Sequence, residues 1–376
     1  MSADEKNITL INNLLLKQGD EQIEREHTNL FDQINAEGIF IFGAHKVGAN
    51  LKKECDKKNI RTIGFFDNDD SKENQKLHNL KIFKPDSENT KNKFIVVASG
   101  RYSNQIIKQL SQYNCTPINI HKFQYLFNLR HQAESSFKNF KNSLHLNKDN
   151  VLMAFNRLCD DESKQTFIGL LKLRIELEIS YTDSFKCDFN DEYIDSKFIS
   201  KEDMTSFIDV GAYDGDTLDR IERKLAPAKI AHLFEPEIAP YIRGLSKYKE
   251  RDSIYIFNFG LSDKMHKVSY ESEYTFDSPN NNQIATSPTI QFLELDKLRI
   301  HEPSFIKIDV EGGELNVLRG AQETIKKYKP KLAVCAYHRA SDYWEIIKYV
   351  TNLNQYYKVG MRHYSDILDD TTLYFY

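Results

Sequence analysis

Apolar residues recur at helical spacing over residues 8–37, where Ile8, Leu10, Ile11, Leu14 and Leu15 are followed by Ile23, Leu30, Phe31 and Ile34. The spacing predicts two amphipathic helices ending near Gly38. Beyond Gly38 the pattern changes to short apolar runs separated by polar, helix-prone stretches. Ile39-Phe40-Ile41-Phe42 reads as a buried strand, followed by a helix through Lys58. Residues 61–67, 93–98 and 117–120 supply three more strand candidates. Strands alternating with helices imply a parallel sheet, so residues 38–127 read as a small Rossmann-like α/β domain. Residues 128–200 are polar and mostly helical, and 163–179 place Phe167, Leu170, Leu171, Ile175 and Leu177 on a broad apolar face. Without Pro- or Gly-rich runs, this stretch predicts a connector packed on a neighbour and not a flexible linker. Residues 201–376 hold seven strand candidates, at 206–210, 231–235, 254–259, 305–310, 331–337, 357–362 and 371–376. They predict a second, larger α/β unit. Residues 268–294 lack a helical period and contain Ser278-Pro279-Asn280-Asn281-Asn282, which predicts a strand-plus-loop insertion at the rim of a substrate pocket.

Composition narrows the classes. The 376 residues suit two or three domains, and a net charge of −4 argues against a nucleic-acid partner, which usually demands a basic excess. Cys55, Cys115, Cys159, Cys187 and Cys335 are scattered with no C-x-x-C pair, excluding a zinc ribbon and disfavouring a disulfide framework. No basic-then-apolar leader opens the chain, and no run approaches the about 18 apolar residues of a membrane span. The expectation is a soluble, cytoplasmic protein with no membrane insertion, whose N-terminal helices and connector offer surfaces for a homo-oligomer.

The candidate chemistry sits in the larger unit. Phe207-Ile208-Asp209-Val210-Gly211 ends a strand, and Ala212-Tyr213-Asp214-Gly215 turns into a helix beginning near Thr217. Glycine lets the backbone approach a ligand closely, and a helix N-terminus offers amide donors. Asp209 and Asp214 beside the turn favour a cationic ligand over a phosphate. Glu235 ends the next strand about 20 residues on, the spacing at which an acid meets ribose hydroxyls in such folds. The plainer alternative is a structural turn with acidic capping. A second string, Phe305-Ile306-Lys307-Ile308-Asp309-Val310-Glu311-Gly312-Gly313-Glu314, precedes Val317-Leu318-Arg319-Gly320-Ala321, Lys329-Pro330-Lys331-Leu332 and Tyr337-His338.

With these strings the chain resembles the FkbM family of S-adenosylmethionine (SAM)-dependent methyltransferases over about residues 205–376. Gly260-Leu261-Ser262-Asp263, Leu295-Asp296-Lys297-Leu298 and Arg362-His363-Tyr364 fit the same resemblance. Asp370-Thr371-Thr372-Leu373-Tyr374 departs from it, with Asp370 standing where relatives tend to carry glutamate. The resemblance implies a doubly wound seven-strand sheet, SAM as donor, and methyl transfer to a hydroxyl of a sugar, glycan or nucleotide-linked sugar. Its donor site would comprise Asp209, Gly211, Ala212, Tyr213, Asp214, Gly215, Glu235, Pro236, Leu261 and Ser262.

A weakly nucleophilic hydroxyl gains from a base within hydrogen-bond reach. His338, just past the fifth strand's carboxyl end, is the favoured base, because ligands of open α/β sheets bind at that edge. Asp309, Glu311 and Glu314 are the second option, one as base or two as oxygen ligands of a divalent ion, although no metal site is assigned. For Glu314 the better reading is charge stabilisation at a helix N-terminus. His363 is a further candidate for the acceptor pocket or the surface. In the smaller unit, Gly43-Ala44-His45-Lys46-Val47-Gly48 resembles a dinucleotide fingerprint whose middle glycine is His45, which weakens an NAD reading. Gly43, Gly48, Asp67 and Ser99-Gly100-Arg101 could line a nucleotide or nucleotide-sugar site, or the unit could be a scaffold. The competing functions are an NAD-dependent sugar oxidoreductase built on this unit, disfavoured by His45 and the lack of a Tyr-x-x-x-Lys pair, and a non-catalytic module that keeps a SAM fold.

Overall fold

A computed structural model of the chain describes residues 3–16, 21–100, 102–129, 143–269, 289–339 and 341–376. Helices Ala3–Leu16 and Glu21–Glu37 lead into a six-stranded sheet. Its strands are β1 (Ile39–Phe42), β2 (Thr62–Phe66), β3 (Lys76–Leu77), β4 (Leu80–Phe83), β5 (Phe94–Val97) and β6 (Thr116–Asn119). They lie in the order β3-β4-β2-β1-β5-β6, parallel apart from the β3–β4 hairpin. That hairpin escaped the sequence reading. Its turn residues His78 and Asn79 both have positive φ, 49° and 64°, a conformation usually announced by Asn-Gly or Gly-Gly.

The larger unit is a seven-stranded sheet of β7 (Phe207–Val210), β8 (Ala231–Phe234), β9 (Ile254–Phe257), β13 (Phe305–Ile308), β14 (Lys331–Cys335), β15 (Val359–His363) and β16 (Thr371–Phe375). Their order is β15-β16-β14-β13-β7-β8-β9, with only β16 antiparallel to its neighbours. Strand order reverses between β7 and β13, so the crevice beyond their carboxyl ends is the expected ligand site. β10 (Gly260–Leu261), β11 (His266–Ser269) and β12 (Thr289–Leu293) form a separate three-stranded sheet. The rim predicted around 268–294 falls largely in 270–288, which, like Arg101, lies outside the described residues.

The connector belongs to the core of the larger unit. Helix Asp161–Glu176 is buried nearly all round, and the Ser163 hydroxyl accepts from the Met361 amide in β15 at 2.8 Å. Arg362 is fully buried in β15 and forms ion pairs with Asp160 (3.3 Å), Glu162 (3.1 Å) and Asp195 (2.9 Å), all from connector residues. Asn104, at the start of the smaller unit's helix Ser103–Leu110, donates its backbone N–H to Asp366 at 3.0 Å and so ties the two units together. Among the described residues, no helix is long and apolar enough to cross a membrane.

Candidate active site

Every residue of β7 and β13 is buried, including Asp209 and Lys307, which face each other in register across the two strands. Neither charge can reach water, so each needs a partner. The Lys307 ammonium lies 3.0 Å from Asp209 Oδ1 and donates to the Gly211 carbonyl at 2.7 Å. Burial pushes the Asp209 carboxyl up to about 6, while Asp209 holds Lys307 above its usual range despite burial, so the pair is ionic at neutral pH. Lys307 therefore props the turn from beneath with Asp209 as its counter-charge, and the Asp209 side chain is withdrawn from the ligand edge assigned to it from sequence.

The turn itself is tightly built. Gly211 has φ +78°, and a Cβ there would fall 1.8 Å from the Asp309 carbonyl oxygen, because the ends of β7 and β13 nearly touch. The Gly211 and Ala212 amides both donate to the Phe234 carbonyl at 3.0 Å. Glu235, just past β8, accepts from the Tyr213 amide at 2.9 Å and the Glu237 amide at 2.7 Å. Burial raises Glu235 to about 7, against the pull of those two hydrogen bonds. Tyr213 and Ile238, which was not singled out from sequence, are half exposed near this carboxylate and offer apolar surface.

Several residues expected to contact the donor have other partners in the structure. Gly215 is glycine because the Tyr248 ring occupies the space a Cβ would need, at 2.4 Å, and the Tyr248 hydroxyl donates to its carbonyl. Asp214 pairs with Arg243 at 3.3 Å, so the negative charge expected to attract a cation is largely neutralised. Leu261 and Ser262 are buried in the small sheet, with the Ser262 amide on the Leu293 carbonyl and the Ser262 carbonyl packed against Gly320. They back the helix Glu314–Gly320 and present no side chain to an open edge.

On the β13 side the chain turns through Glu311 and Gly312, with φ +54° and +96°. Glu314 Oε1 accepts from the Val310 amide at 3.0 Å and the Gly312 amide at 3.2 Å, fixing that turn. Asp309 Oδ2 accepts from the Tyr193 hydroxyl at 3.0 Å. His338, beyond β14, lies with Nδ1 3.0 Å from Glu314 Oε1 and Nε2 3.5 Å from Glu311 Oε2 and 3.8 Å from Asp309 Oδ1. The structure thus brings Asp309, Glu311 and His338 together at one edge. Burial alone would lower the imidazole, but the carboxylates of Glu311 and Glu314 raise it to about 10. Taken by itself, His338 carries a proton at neutral pH, which contradicts its expected role as a free base. Glu314 does more than stabilise a helix terminus, since it grips both the turn and the imidazole.

His363 is fully buried, with Nδ1 2.9 Å from the Thr371 hydroxyl, and burial lowers it to about 3. It belongs to the core and not to an acceptor pocket. In the smaller unit, a Cβ on Gly48 would meet the Gly43 carbonyl at 2.0 Å, so this glycine serves helix–strand packing. Asp67 accepts from the Ala44 amide at 2.8 Å and the Asp69 amide at 2.9 Å and pairs with Lys72 at 3.0 Å. His45 caps the following helix, its ring lying against Gly43. The acid and turn that would receive a ribose and pyrophosphate are closed on each other, which removes the geometric basis for an NAD site.

Residues 209–359 match the family described as Methyltransferase FkbM domain, and residues 35–120 match that described as C2185-like, N-terminal. A solved structure of methyltransferase FkbM from Methylobacillus flagellatus KT is 22% identical, covering 97% of this chain and 99% of that one with a TM-score of 0.73. The fold is therefore shared across both units. An rRNA methylase from Streptococcus thermophilus matches at 11% identity over 48% of this chain and 89% of its own, TM-score 0.31. TrmK of M. capricolum, solved with S-adenosyl-homocysteine (SAH), matches at 11% identity over 46% and 60%, TM-score 0.26. No curated protein matches this sequence.

Proposed function

We propose that residues 209–359, which match the FkbM methyltransferase domain, take SAM as the methyl donor and transfer its methyl group to a hydroxyl of a sugar, glycan or nucleotide-linked sugar. When bound, SAM supplies an activated methyl group on a sulfonium. The residues present suit that molecule. Glu235 offers a carboxylate for a ribose diol, and Tyr213 and Ile238 supply exposed apolar surface for a purine. The chain's own task is to align the acceptor and remove its proton.

The observation that carries the hydroxyl reading is the position of Asp309. Its carbonyl abuts Gly211 at the switch point, and its Oδ1 has no hydrogen-bond partner. A hydroxyl needs such a proton acceptor, whereas a neutral amine does not. Asp309 would take the hydroxyl proton as the acceptor oxygen gains the methyl group, and Glu311 adds a second carboxylate for neighbouring hydroxyls. The test offers the protein SAM with hexoses, nucleotide-linked hexoses, amines and RNA, and follows methyl incorporation. Transfer to a sugar hydroxyl is expected, and Asp309→Asn should lower kcat about 10²–10⁴-fold while SAH affinity stays within a few-fold. Methylation confined to amines or RNA, or an unchanged kcat in the variant, would overturn the reading.

Glu235 gives a second expectation. Its folded pKa is raised, so its neutral form is favoured in the free protein, and the associated stability is lost as pH rises through about 7. Ribose hydroxyls donate to the charged form, so SAH binding near pH 6 should release protons. Calorimetry in buffers of different ionisation enthalpy reads that release, which Glu235→Gln should abolish. Binding without proton exchange in the wild type would remove Glu235 from the ribose.

A further inference from the structure

Two buried ligand-type atoms at the acceptor edge face each other without a hydrogen bond. His338 is 5% exposed and its Nε2 has no hydrogen-bond partner, and neither has Asp309 Oδ1, 3.8 Å away. Glu311 Oε2 stands 3.5 Å from the same nitrogen, on a side chain open to solvent. We propose that His338 Nε2, Asp309 Oδ1 and Glu311 Oε2 hold a divalent cation, with Glu314 fixing the imidazole through Nδ1.

Three features support this assignment. The first is spacing. His338 Nε2 stands 3.8 Å from Asp309 Oδ1 and 3.5 Å from Glu311 Oε2. Ligands bound at about 2.0–2.4 Å around one ion lie roughly 3–4 Å apart, so both gaps to the imidazole match those of a shared ion. The second is support. A metal-bound histidine usually donates its other ring N–H to a carboxylate, and the buried Glu314 stands 3.0 Å from Nδ1. Asp309 is held likewise, its Oδ2 accepting from the Tyr193 hydroxyl. The third is access, because Glu311 is at the surface and leaves room for the ion to enter and for an acceptor oxygen to join it. One imidazole nitrogen with two carboxylate oxygens suits a first-row ion such as Mn²⁺ better than a purely hard ion.

An acceptor hydroxyl joining the ion would become more acidic and would pass its proton to water at the open Glu311 side. Asp309 Oδ1 would then be a ligand in place of a proton acceptor, and its loss still costs turnover. Mn²⁺ binding is read without any acceptor, so the cation site and the sugar reading can fail separately.

The experiment titrates Mn²⁺ into chelator-treated full-length protein by calorimetry and electron paramagnetic resonance. One saturable site per chain is expected. Glu311→Gln and His338→Asn should each weaken it at least tenfold, and Glu314→Gln about 10–100-fold. SAH binding, measured on each variant, reports that the fold is intact. Absence of saturable Mn²⁺ binding to the wild type, or equal affinity in variants that still bind SAH, would overturn the proposal and leave Glu314–His338 as a buried ion pair.

Discussion

Gly211→Ala should all but abolish SAH binding, with an affinity loss on the order of 100-fold or more, equivalent to about 2.7 kcal/mol. Two penalties combine at this residue. Its φ of +78° is a conformation that disfavours a side chain, costing about 1–2 kcal/mol. The added carbon would also sit 1.8 Å from the Asp309 carbonyl oxygen, a backbone atom that cannot rotate away. Relief requires the ends of β7 and β13 to separate. That movement breaks the Asp309 amide bond to the Val210 carbonyl, now 3.0 Å, and displaces Asp309 from the turn. Donor binding and the acceptor edge should fail together. Gly215→Ala makes an informative comparison, because its clash is with the Tyr248 side chain and should mainly lower stability. Calorimetry with SAH, alongside circular dichroism to check folding, separates the two. A folded Gly211→Ala protein with near-normal SAH affinity would show that the turn does not contact the donor.

Much of this site could be read from the sequence, but the missing part had a consistent cause. Strand ends and turns are local, so the positions of Gly211, Glu235, Asp309 and His338 at or just past strand ends were legible along the chain. All seven strands of the larger sheet were visible for the same reason. What could not be read were pairings across elements. Asp209 looked like a ligand group because it stands beside a turn, yet its partner Lys307 lies nearly a hundred residues on. A signal existed, since Lys307 interrupts the run Phe305-Ile306-Lys307-Ile308 and Asp209 interrupts Phe207-Ile208-Asp209-Val210 at the same position. Two opposite charges at matching positions of adjacent buried strands must meet. Tyr193 offered no such signal. It lies in a connector segment with no regular period, and only the fold delivers its hydroxyl to Asp309. The packing of Leu261 and Ser262 was hidden for a related reason, because a two-residue strand paired to residues 292 and 293 leaves no pattern of its own.

Lys307→Met should be among the most destabilising single changes in the larger unit, at about 3–5 kcal/mol. The substitution keeps most of the side-chain volume, so packing loss is minor. The cost comes from leaving the Asp209 carboxylate fully buried without its partner 3.0 Å away, and from removing the donor to the Gly211 carbonyl. Asp209→Asn should cost less, since an amide can still accept from Lys307, although the ammonium loses its counter-charge. The double variant Asp209→Asn, Lys307→Met removes both charges and should recover much of the stability lost by Lys307→Met alone. Recovery in stability should not restore function in full, because the Gly211 carbonyl still lacks its anchor. Urea unfolding of the three variants forms a double-mutant cycle, with SAH affinity as the second readout. A Lys307→Met protein as stable as the wild type would mean that Asp209 is neutral in the fold. Strictly additive costs would mean that the two side chains do not interact, and the support beneath the Gly211 turn would have to come from elsewhere.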